Sequence, residues 1–136
     1  MNRAENRLPG NILAKSVKRS NEYGWREHDF IDVVNAAKEI PMATIGGQIM
    51  YFFPDGTCEL YWLSYDPAER KPEEDWLNYC NRTANECITK FNSLISNVDI
   101  NAEALGISYI KDKNNEGINI DDYKVFVIYF DDAEVD

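Results

Sequence analysis

Residues 43–65 constrain the fold more than any other part of the chain. Two runs rich in aromatic, β-branched and aliphatic residues, 45–53 and 57–65, flank Pro54-Asp55-Gly56. Proline fixes φ, aspartate supplies a side-chain acceptor and glycine tolerates positive φ, so the three residues read as a turn and the whole as a β-hairpin. In the first run Ile49, Tyr51 and Phe53 alternate with Met50 and Phe52. Both faces of that strand are therefore apolar, the pattern of a strand inside a sheet with cover on each side. Gly46-Gly47 permits a bulge or a close approach of another backbone.

Helical periodicity frames this hairpin. Phe30, Val33, Val34 and Ala37 predict a helix over 27–39, stopped by Pro41. After a polar connection, 66–71, a long helix is expected. Pro72 takes its first position, and Glu73, Glu74 and Asp75 complement the positive end of its dipole. Trp76, Tyr79, Cys80, Thr83, Cys87, Phe91, Leu94 and Ile95 trace one face, ending near Asn97 after about 35 Å. A short helical piece over 101–105 is closed by Gly106, and strands are expected over 107–111 and 123–130 with a loop, 112–122, between them. The fold class is thus α+β, an antiparallel sheet of about four strands with a central hairpin, packed against two main helices. With 136 residues the chain suits one core. Residues 1–21 read as a basic, partly mobile arm or a short leading strand, and 22–136 as a single domain closing on an acidic tail over 131–136.

Charge is distributed unevenly. Residues 1–26 carry six Lys or Arg against two Asp or Glu, whereas residues 27–136 carry eight against 22. Hydrophobic residues still make up 44% of the chain and aromatics 12%, so the negative charge belongs to a folded surface rather than to a disordered acidic segment. Such a surface repels nucleic acid and steers cationic partners. Arg3, Arg7, Lys15, Lys18 and Arg19 have no interleaved aromatics before Tyr23, which argues against a nucleic-acid-binding arm. Neither a signal-peptide core nor a run of about 20 apolar residues is present, and the reading is cytoplasmic. Cys58, Cys80 and Cys87 are odd in number and lack CxxC spacing, consistent with reduced, buried thiols.

Catalytic chemistry finds little support. The single histidine, His28, stands at a helix start among charged residues, and no nucleophile motif is present. Adjacent carboxylates at Glu73-Glu74, Asp121-Asp122 and Asp131-Asp132 point in different directions on a helix or strand. Residues 112–117 match the first half of a calcium loop, but position 12 is Tyr123 instead of a bidentate Glu. No metal and no cofactor is expected. Glu59, inside the hairpin on the face of Tyr61 and Tyr65, is either at an exposed sheet edge or desolvated at a site.

The segment Ala43-Thr44-Ile45-Gly46-Gly47-Gln48, the run Phe53-Pro54-Asp55-Gly56-Thr57-Cys58-Glu59-Leu60-Tyr61-Trp62 and the long helix from Trp76 to Leu94 are similar to segments of small bacterial toxin-linked proteins. The chain as a whole resembles immunity proteins of polymorphic and contact-dependent inhibition toxins: short, acidic, α+β and without an active site. That resemblance implies a cognate toxin, cationic and most simply a nuclease, as partner. The residues expected to meet it are Glu59, Tyr61, Tyr65, Asp66, Glu69, Glu73, Glu74 and Asp75, where acids of the hairpin end and the helix start lie beside aromatics. Two other classes stay open: a nucleic-acid mimic with acids along one elongated face, and a small-molecule or enzymatic domain centred on Glu59.

Overall fold

A computed structural model describes residues 3–132; the end of the expected acidic tail, 133–136, lies outside the described residues. Five strands, β1 (Val17–Arg19), β2 (Glu22–Trp25), β3 (Ala43–Phe53), β4 (Gly56–Glu59) and β5 (Lys124–Asp131), form one antiparallel sheet in the order β1-β2-β5-β3-β4. The helices are α1 (Gly10–Leu13), α2 (Phe30–Glu39), α3 (Trp76–Asn97), α4 (Ile100–Ala104) and α5 (Ser108–Asn115), with 3-10 turns at Ala4–Arg7, Glu27–Asp29 and Ile120–Tyr123. The α+β class stands; the N-terminal region supplies two of the five strands, β1 and β2, and the segment expected as a strand over 107–111 supplies none.

The alternation of β3 sorts its side chains as expected. Ile49, Tyr51 and Phe53 join Trp25, Phe126, Ile128 and the apolar faces of α2 and α3 in the main core. Its centre is aromatic: Phe30 stacks on Phe91 at 3.8 Å between centroids, and both meet Phe126 and Tyr65 edge-on. Each fully buried ring of this kind contributes about 2–3 kcal/mol. Met50 and Phe52 pack with Val125 and Val127 in a second, smaller core on the back of the sheet.

The β1–β2 hairpin covers that back face. It pairs with β5 only at Gly24↔Val127 and Trp25↔Phe126, then curls over the sheet. Arg19 reaches across two intervening strands to lie 5.3 Å over the Phe52 ring and to donate to the Phe53 carbonyl at 2.9 Å. Glu22 accepts from Gln48 and from the Tyr129 hydroxyl. Residues 3–21, expected as an arm, are in fact built into the domain: Leu8 and Ile12 are buried, Trp25 donates its indole N–H to the Ile12 carbonyl, and the buried Glu5 carboxylate accepts from the Phe130 amide.

Four expectations are corrected. Residues 107–111 are not a strand but the beginning of α5; Ile107 and Ile110 face the core at a spacing of three, and five residues are too few to separate a period of 2 from one of 3.6. Because 112–115 are helical, the partial calcium-loop match has no loop to occupy. The second hairpin strand ends at Glu59 instead of 65. Finally, α3 begins at Trp76, not Pro72, because Asp75 caps it by accepting from the Asn78 amide at 2.8 Å, the arrangement aspartate favours at a helix start.

Candidate partner-binding surface

The end of β4 decides where the expected site residues go. Leu60 still donates to the Ile49 carbonyl, and the Leu63 amide then bonds back to the Leu60 carbonyl at 3.2 Å. This closes a tight turn whose two central residues are Tyr61 and Trp62. Leu60 is fully buried and Leu63 packs against the core, so the turn is clamped on both sides. Its tip is exposed: Tyr61 is 79% and Trp62 41% accessible. The two rings meet edge-on at 5.2 Å, and the Trp62 indole donates to Glu103 of α4 at 2.9 Å. Helix α4 is itself fixed by the buried Ile100 and Ala104, by its Asp99 cap, and by the Tyr51 hydroxyl donating to Asn101 at 2.7 Å. Glu59, exposed at the end of β4, immediately precedes the turn.

Tyr65 departs from the expected surface. It is fully buried, and its hydroxyl donates to the carbonyls of Val127, at 2.6 Å, and Gln48. Burial pushes its phenol pKa well up. These bonds lie beside a bulge in β3, where the register with β5 shifts between Thr44 and Gly46. Gly46 has φ +114, and a Cβ there would collide with Asp66, while a Cβ on Gly47 would collide with the Val127 carbonyl. The paired glycines are thus required by the bulge. Asp66 serves the same feature, accepting from the Gly47 amide at 2.9 Å.

From here residues 64–72 run extended along α3 as a strap, held by side chains one turn apart. Lys90 donates to the Asp66 carbonyl at 2.7 Å, Glu86 accepts from the Ala68 amide at 2.9 Å, and Arg82 donates to the carbonyls of Ala68 and Glu69. Arg82 also grips Glu74 with two bonds, 2.6 and 2.9 Å, and bonds Glu86 at 3.1 Å. The guanidinium holds the Glu74 carboxyl down at about 2, and the Ala68 amide is the main cause of the lowered value at Glu86. Glu74, Asp75 and Asp66 are therefore committed to internal bonds. Glu59, Glu69 and Glu73 are exposed.

The eight expected residues thus separate. Glu59 and Tyr61 stand at the aromatic turn, the acids from Asp66 to Asp75 line the strap and the start of α3, and Tyr65 is interior. Sequence reasoning missed Trp62 and Glu103. Leu60-Tyr61-Trp62-Leu63 has strand composition and none of the Gly, Pro, Asn or Asp that usually announce a turn, and Glu103 is distant in sequence.

Other groups are neutralised internally. A cavity of about 270 Å³ is lined by Arg26, Glu27, His28, Asp121 and Lys124. There Lys124 lies 3.0 Å from Asp121 and 4.0 Å from Glu27, and Arg26 donates to the carbonyls of Asp121, Asp122 and Lys124. Cys58 has its thiol pKa pushed up, mainly by burial, the opposite of what an activated nucleophile needs. Among the described residues no group of three His, Cys, Asp or Glu is placed to hold a metal ion, and no helix is long and apolar enough to cross a membrane. Comparison with family models, curated proteins and solved structures found no match for the chain.

Proposed function

We propose that this protein is an acidic binding protein of the immunity type, which neutralises a cationic protein toxin by covering it. The observation that carries the reading is the exposed Tyr61-Trp62 pair at the centre of a clamped turn. Those positions ordinarily hold small or polar residues, and two aromatics there leave apolar surface in water even with the Trp62 indole tied to Glu103. Rigid Tyr and Trp side chains beside a carboxylate are what a protein interface uses as anchors, because little rotamer freedom is lost on binding. The formal net charge of −10 complements a cationic partner by accelerating encounter, and the aromatic anchors slow dissociation.

Co-expression with the product of the adjacent gene tests this. The wild-type chain is expected to restore growth against that protein. The double variant Tyr61→Ala, Trp62→Ala, folded because neither side chain is core, should lose protection, with affinity reduced at least tenfold. Failure of the wild-type chain to protect sinks the immunity reading, and full protection by the double variant sinks the surface.

A further inference from the structure

We infer that the aromatic turn is a receptor for an arginine side chain of the partner, with the guanidinium stacked on the Tyr61 ring and bonded to Glu103. This rests on the binding-protein reading above and names the group that the surface recognises.

The geometry supplies each part. Tyr61 is 79% accessible and its neighbour Trp62 sits edge-on to it at 5.2 Å, so the tyrosine offers a fixed, solvent-facing π surface. Trp62 Nε1 occupies Glu103 Oε1 at 2.9 Å. A carboxylate accepts through two oxygens, so Oε2 of Glu103 remains available to a donor while Oε1 stays anchored to the ring system. Glu59 is not part of the receptor: it stands opposite Met50, on the far face of the sheet from α4, which leaves Glu103 as the carboxylate beside the turn. No Lys or Arg falls in the segment from 57 to 69, so no cation of the turn's own chain segment competes for the ring.

Arginine fits this arrangement better than lysine. Its planar fork stacks on an aromatic face and donates in its own plane to a flanking carboxylate, and its weaker hydration lowers the cost of leaving water. The same pairing of ring and guanidinium is already used inside the molecule, where Arg70 lies 5.4 Å over Trp76 and Arg19 lies 5.3 Å over Phe52. Cationic surfaces built to hold phosphate are rich in arginine for the same bidentate geometry, so the receptor would occupy the partner's own anion-binding side chain.

The test uses the isotope-labelled full chain and two short peptides of equal charge, one of arginine and glycine and one of lysine and glycine, at constant ionic strength. The arginine peptide is expected to shift the Trp62 indole N–H resonance saturably and to bind about fivefold or more tightly than the lysine peptide. Tyr61→Ala should reduce the arginine affinity about fivefold and erase the preference, and Glu103→Gln should weaken both peptides. Equal affinity for the two peptides, or an unchanged preference in Tyr61→Ala, overturns the arginine receptor. If the shifts fall instead on Glu69 and Glu73, attraction is general to the acidic surface and the receptor is again refuted, while the wider binding-protein reading stands on the growth assay alone.

Discussion

Single residues here do work that their types do not announce. Glu74 stands among three consecutive acids, yet Arg82 takes both of its oxygens and lowers its carboxyl from 4.5 to about 2. A carboxyl lowered by folding adds stability that is present above its unfolded value and is lost as pH falls toward the folded one. Wild-type protein is therefore expected to lose this contribution between about 4.5 and 2. Thermal melts across that range should show a flatter acid limb in Glu74→Gln, and an identical limb would refute the assignment. Gly47 shows the opposite case, a small residue legible in the sequence as a place of close approach. Its missing Cβ leaves room for the Val127 carbonyl, and Gly47→Ala should cost about 3 kcal/mol in denaturant unfolding because backbone, not a flexible side chain, must move. Tyr65 was legible only as an aromatic in a strand-like run. Whether its ring faced water or Phe30 and Phe91 depended on where the strand stopped, and no local residue sets that point.

At the scale of elements, the strap replaces a strand. Beyond Glu59 the chain leaves the sheet, and its backbone is satisfied by Arg82, Glu86 and Lys90, spaced four residues apart along α3. Side chains at that spacing lie on one helical face, so the periodicity that buries Tyr79, Thr83, Cys87 and Phe91 also aligns a polar ladder beside them. Replacing Arg82 by Met removes its bonds to Glu74, Glu86 and two strap carbonyls while keeping the apolar stem. Faster amide hydrogen exchange is expected at Ala68 and along residues 66–71, with α3 itself still protected. Uniformly unchanged exchange would mean that the strap is held by something else. The long helix and the β3 turn could be read beforehand because their patterns extend over many residues. The α5 segment was misassigned because its apolar signal is short; β1 was legible only as one of two readings of residues 1–21 and β2 not at all, because a three-residue and a four-residue strand carry almost no period.

For the whole molecule, the uneven charge is partly an internal arrangement. The basic N-terminal region sits against the acidic body: Arg7 pairs with Asp132 at 2.7 Å, Lys15 approaches Asp29 at 3.9 Å and Arg19 lies over the Phe52 ring, while Arg3 pairs with Glu5 and Lys18 lies over Tyr23 within the region itself. Exposed pairs of this kind contribute little individually, and the apolar contacts beneath them hold the segment. Ile12→Ala should therefore destabilise the whole domain by about 2–4 kcal/mol, read as a lower denaturant midpoint with one transition; a midpoint equal to wild type would return the segment to the status of an arm. The sequence by itself determined the α+β class, the β3–β4 hairpin with its bulge glycines, the face and end of α3, and the net negative charge, because these follow from local periodicity, turn chemistry and summed charge. Only the tertiary structure decided which acids remain on the surface, that Tyr65 is interior, and that Tyr61 and Trp62 project from a clamped turn beside Glu103. Those outcomes depend on contacts between segments far apart in the chain, where burial of one aromatic ring outweighs the continuation of a strand.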